Sequence, residues 1–136
     1  MLASLAAGIV ALAGLYLVVL GVTALVAPQR AGRFLLAHAG TPALHYLEMA
    51  LRLAVGAALV VHAPRMAASQ VFLVVGGIVL ATTACLLLVP WRWHRRIAER
   101  TVPQALRFIT VLGLCSLALG GFVLLAILRP GSGLGD

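Results

Sequence analysis

Four apolar runs, Leu5 to Ala27, Ala43 to Val61, Ser69 to Val89 and Ala105 to Leu128, take up most of this 136-residue chain and constrain it more than any motif does. A helix rising 1.5 Å per residue needs about 20 apolar residues to cross some 30 Å of hydrocarbon, and these runs are of that length. A soluble domain has about a quarter of its residues charged; here 10% are charged and 63% hydrophobic. The expected fold is all-α integral membrane, with four transmembrane helices in a compact bundle. Residues 1–128 would form a single domain and 129–136 a flexible Gly-rich tail. The run Met1 to Ala27 contains no charged side chain, so it lacks the basic start of a cleavable signal peptide and is read as a retained first span.

The charge is unbalanced. All ten basic residues are arginine, against Glu48, Glu99 and Asp136, for a net charge of +7. In so apolar a chain, this predicts anionic lipid headgroups as partners and no nucleic acid. Arg30 and Arg33 follow the first run, and Arg92, Arg95, Arg96 and Arg100 follow the third. Arg107 stands at the mouth of the fourth, while the opposite side holds only Arg65 and Arg129. Positively charged short loops stay in the cytoplasm. The expectation is an inner or plasma membrane protein with loops 1 and 3 cytoplasmic and both termini on the outer side.

At a spacing of 62 the chain resembles itself: Gly14 meets Gly76, Pro28 meets Pro90, Arg30 meets Arg92, Arg33 meets Arg95, and Ala43-Leu44 meets Ala105-Leu106. Pro-x-Arg-x-x-Arg therefore occurs twice, just past the first and third runs. This predicts two repeated helical hairpins, about 8–65 and 70–127, of parallel topology. Proline suits a first helical turn but cannot continue a preceding helix, so each motif should open a short interfacial helix in loop 1 or loop 3. On a projection of about 100° per residue, Arg92, Arg95, Arg96, Glu99 and Arg100 share one side and Trp91, Trp93, Ile97 and Ala98 the other. Arg30, Arg33, Trp91, Arg92, Trp93, Arg95, Arg96 and Arg100 are therefore the expected lipid-contacting residues, with a docking patch for a cytoplasmic partner as the alternative.

Ala7, Gly14 and Gly21 recur at heptad spacing in the first run and Gly76 and Thr83 in the third, which predicts close helix packing seams. Cys85 and Cys115 form no CxxC and are read as small packed side chains.

The second run holds the unusual chemistry. His45, Glu48, Arg52, Gly56 and Leu59 share a narrow sector, with Glu48 and Arg52 at i,i+4. Glu48 would lie about 7.5 Å inside the span and Arg52 near the midplane. A lone charge there costs about 2.5 to 3.5 kcal/mol, so the two should pair, with His45 and Arg107 completing a polar intramembrane cluster. In the second repeat Thr110 and Leu114 take the places of Glu48 and Arg52.

No nucleophile with a base beside it, carboxylate pair or metal-binding spacing is present, and His45 and His62 are too far apart on one helix to clamp a haem. No enzyme, cofactor or metal site is expected. The sequence points to a non-enzymatic accessory or assembly subunit that self-associates or joins a larger membrane complex. The alternatives are a small proton-coupled transporter using Glu48 in a polar midlayer, and a lipid- or quinone-binding membrane subunit.

Overall fold

A computed structural model describes residues 1–38 and 41–129; the tail read as flexible lies outside them from residue 130 on. The described residues are nearly all helical: α1 (Leu2–Val26), α2 (Pro28–His38), α3 (Pro42–His62), a 3-10 turn (Ala63–Arg65), α4 (Ser69–Leu88), α5 (Trp91–Leu106) and α6 (Ile109–Leu128). α1, α4, α6, and α3 continued by the 3-10 turn, are long and apolar enough to cross a membrane, α3 being the least apolar.

The breaks between elements have local causes. α1 ends where the N–H of Ala27 bonds back to the Thr23 carbonyl, and Pro28, which has no N–H to leave unsatisfied, opens α2. Thr41 caps α3, its Oγ1 accepting from the Leu44 N–H at 3.3 Å, and Pro42 follows at the first helical position. Between α3 and α4 the chain reverses through the 3-10 turn and Ala68, a non-glycine residue in the left-handed region at φ 62°. The third break differs from the sequence expectation. α5 runs through Pro103 to Leu106, so the fourth long helix starts at Ile109 rather than Ala105. Arg107 and Phe108 form the turn, with the Arg107 N–H bonded to the Gln104 carbonyl at 3.2 Å.

α1 packs chiefly on α6, α3 on α4, and α1 also on α3. The buried core lies toward the end that holds the 3-10 turn, where Ala6 and Val10 meet Ala58, Leu59, Ala63, Met66, Phe72, Val123 and Ala126. Phe72 stacks on Phe122 with centroids 5.4 Å apart, and the Ala67 N–H bonds to the Ala126 carbonyl at 3.3 Å, tying α4 and the link before it to α6 at this end. α2 and α5 lie at the other end and pack on each other.

Both main helix pairs close on glycine. A Cβ on Gly14 would lie 3.1 Å from Val123 and Leu124, and one on Gly120 would lie 2.7 Å from the Gly14 carbonyl oxygen and 2.9 Å from Val18. In the other pair a Cβ on Gly76 would lie 3.1 Å from Leu59 and 2.9 Å from Val60, and one on Gly56 would lie 2.9 Å from Leu80. Small residues here let backbones touch, which supports helix association where lipid is as apolar as a side chain. Gly14, Gly21, Gly76 and Thr83 are all buried, as expected of seam residues. Ala7 is only partly buried, because the α1 seam passes through Ala6 and Val10. Cys85 and Cys115 are exposed rather than packed: both lie off the glycine faces of their helices.

Only 17% to 28% of the residues in the apolar windows of the four long helices are buried within the protein, and Leu12, Leu51, Val74, Ile78, Leu119 and Leu125 point outward. An apolar perimeter of this extent exceeds the patches a water-soluble monomer exposes.

Candidate functional site

His45 and Glu48 sit on the half of α3 that Thr41 and Pro42 start, and Arg52 at its middle. A projection at about 100° per residue places Glu48 roughly 80° around from Gly56, whose face meets α4, so that Glu48 turns toward α1. Its carboxylate lies within electrostatic reach of the Tyr16 hydroxyl on α1.

Glu48 and Arg52 form the expected ion pair. Arg52 Nε donates to Glu48 Oε1 at 2.9 Å and Nη2 approaches the same oxygen at 2.7 Å. Oε2 takes no hydrogen bond from a described residue, and a guanidinium has five N–H donors, so the contact leaves capacity on both partners. The Arg52 side chain is 42% exposed and that of Glu48 25%, although Arg52 stands at the middle of a 21-residue helix, about 15 Å from either end.

The rest of the expected cluster is divided. His45 is fully buried and its ring meets that of Tyr46 edge-on at 5.3 Å. Arg107 is exposed in the α5–α6 turn and makes no ion pair with Glu48: the later start of α6 carries it out of the helical layer that the sequence assigned to it. His62, at the far end of α3, is also buried, and its Nδ1 has no hydrogen-bond partner.

A second polar region covers the opposite end. Arg30 and Arg33 of α2 and Arg92, Arg95, Arg96 and Arg100 of α5 are all exposed. Arg95 Nε donates to Glu99 at 2.8 Å and its guanidinium lies 5.7 Å from the centre of the Trp91 ring. Both described carboxylates are thus held by an arginine of their own helix, and the remaining arginines have no acidic partner among the described residues. On α5 the apolar side faces outward: Trp93 is 65% and Ile97 54% exposed, with Trp91 partly buried.

Two clefts open beside α2. One, of about 470 Å³, is lined by Pro28, Gln29, Gly32, Arg33, Leu106 and Ile109. The other, of about 350 Å³, lies between α1 and α2 and is lined by Tyr16, Val19, Leu20, Thr23, Arg30, Ala31 and Phe34. The sequence pattern did not single out Tyr16 or Phe34, whose rings meet at 6.5 Å. Neither cleft is lined by His45, Glu48 or Arg52. Among the described residues, no three His, Cys, Asp or Glu side chains come together as a metal-binding group.

The chain matches no protein-family model, no curated protein and no solved structure.

Proposed function

We propose that this chain is a non-enzymatic integral membrane protein that acts as an accessory or assembly subunit, and that the Glu48–Arg52 pair is part of the surface by which it joins a second protein. The reading rests on one observation: an ion pair midway along a candidate span whose side chains remain 25% and 42% exposed. A charge facing hydrocarbon at that depth costs about 2.5 to 3.5 kcal/mol. The open Glu48 Oε2 and the unused N–H groups of Arg52 are what a polar residue of a neighbouring helix would satisfy. A proton-coupled transporter would need Glu48 on a water-filled path; Glu48 lines neither cleft beside α2, although Tyr16, which lines one of them, lies within its electrostatic reach.

In this reading α1, α3, α4 and α6 span the membrane and α2 and α5 lie at the interface. Their arginines meet anionic headgroups, and Trp93 and Ile97 dip below them. The excess of arginine at this end supports a cytoplasmic orientation for it.

The two glycine seams support descent from one duplicated hairpin. Gly76 sits against Leu59 and Val60 as Gly14 sits against Val123 and Leu124, and Gly56 meets Leu80 as Gly120 meets Val18. The first helices of each copy then correspond at 76 − 14 = 62 and the second at 120 − 56 = 64. An insertion of two residues in the second loop accounts for the difference. On this register Leu112 and Ser116 stand where the first copy has Glu48 and Arg52, so the ion pair belongs to one half only.

Extraction from native membranes into polymer-bounded lipid discs, followed by mass measurement, tests the proposal. The expected result is a particle in which the 14.1 kDa chain is joined by another protein or a second copy. A population of single chains with lipid alone would reject it.

A further inference from the structure

The cleft between α1 and α2 has a polarity along its length. Tyr16, Val19, Leu20 and Thr23 recur at three- and four-residue steps and form one wall along about 10 Å of α1. Phe34 of α2 forms the facing wall, its ring 6.5 Å from that of Tyr16 and tilted by 50°. The Thr23 hydroxyl is spent on the Val19 carbonyl at 2.7 Å, so the Tyr16 phenol at the inner end is the hydroxyl this wall has to offer.

Charge is confined to the other end, where Arg30 is exposed. Both described carboxylates are engaged elsewhere, Glu48 by Arg52 and Glu99 by Arg95, so Arg30 has no acidic partner among the described residues. Tyr16 stands ten residues before the end of α1 at Val26, or about 15 Å. That is half of a hydrocarbon layer about 30 Å thick. The cleft therefore runs from headgroup level to the midplane, the depth of one leaflet, and its volume of about 350 Å³ falls within the range of small-ligand sites.

We propose that this cleft binds one acidic phospholipid, with the phosphate on Arg30 and one acyl chain lying along Val19, Leu20 and Thr23 beneath Phe34. The proposal rests on the membrane reading above. A net negative headgroup is preferred over a zwitterionic one because Arg33, one turn along α2, and the α5 arginines add an uncompensated positive field. Glu48 and Arg52 do not line this cleft, and Tyr16 at its inner end is the residue that comes within electrostatic reach of Glu48.

The test uses the full chain in mild detergent, titrated with phosphatidylglycerol and phosphatidylcholine and read by native mass spectrometry. The wild-type chain should retain phosphatidylglycerol in preference to phosphatidylcholine. Arg30→Gln should reduce that preference about fivefold, whereas Arg96→Gln, which removes an equally exposed charge on α5, should leave it nearly unchanged. Val19→Trp, which fills the cleft from an exposed position, should lower retention of both lipids. Equal losses from Arg30→Gln and Arg96→Gln would overturn the proposal, since a general surface field would then explain the preference. So would unchanged retention in Val19→Trp, or copurification of a quinone or a peptide in place of phospholipid. Arg30 is exposed and unpaired, so its variant folds even if Val19→Trp does not, and the headgroup preference alone then decides. Release of the chain from membranes by alkaline carbonate without detergent would instead defeat the membrane reading itself.

Discussion

Gly120 of α6 faces Gly14 of α1 so closely that a Cβ added to Gly120 would lie 2.7 Å from the Gly14 carbonyl oxygen. The neighbouring glycine, Gly121, would meet nothing within 4 Å. The same contrast holds in α4, where Gly76 is against Val60 and the Gly56 backbone and Gly77 faces open space. One glycine of each pair is a packing requirement and the other is not.

Gly120→Ala should therefore separate α1 from α6 and destabilise the bundle by about 1 to 3 kcal/mol, the usual range for overpacking. Gly121→Ala should be neutral or up to about 1 kcal/mol stabilising, because alanine is the better helix former. Reversible unfolding in mixed micelles, measured on both variants, checks the difference. Equal effects would mean that α1 and α6 do not meet through this face.

Glu48→Gln leaves Arg52 at mid-helix with no carboxylate, and the expected loss is about 3 kcal/mol in insertion or folding. Replacing both residues, as Glu48→Gln with Arg52→Leu, should recover most of that loss, because no unpaired charge is then left at mid-helix. A double-mutant cycle on the fraction inserted gives the coupling directly. Additive losses would show that the two side chains act independently.

Glu99 and Arg95 repeat the same i,i+4 geometry at 2.8 Å, but their side chains are 58% and 48% exposed on α5. Water and headgroups screen such a pair, which contributes about 0.2 to 1 kcal/mol. Glu99→Gln should thus change stability by at most about a third of the Glu48→Gln effect in the same assay. A comparable loss would place α5 within the bundle instead of at its edge.

The arginine distribution predicts sidedness. In a background without Cys85 and Cys115, Gln29→Cys on α2 should be protected from a membrane-impermeant maleimide in intact cells and react after permeabilisation, while Pro64→Cys in the 3-10 turn should react in both. The reverse pattern would invert the topology.

Residue chemistry made much of this architecture legible. Apolar runs specified the long helices, Pro28 and Pro90 marked where two of them stop, and the i,i+4 spacing of Glu48 and Arg52 foretold their contact. What was not legible depended on which helix faces which. Gly113 and Gly120 share the heptad interval of Gly14 and Gly21, yet Gly121 and Gly77 look equivalent in sequence, and only the pairing of α1 with α6 and α3 with α4 separates contact glycines from spare ones. Arg107 was misplaced for a related reason: hydropathy alone does not reveal that α5 continues through Pro103 and delays α6 to Ile109. The cleft bounded by Tyr16 and Phe34 needs α2 folded back against α1, a tertiary relation that no local pattern encodes.

Leu51 is exposed on α3 one turn from Glu48 and directly before Arg52, so a probe there reports what covers the ion pair. Site-specific incorporation of a benzophenone side chain at this position, irradiated in native membranes, tests the assembly role most directly. The account predicts a protein adduct well above 14.1 kDa that disappears in the Glu48→Gln, Arg52→Leu double variant. Recovery of lipid adducts alone, with the chain at its single mass, would contradict it.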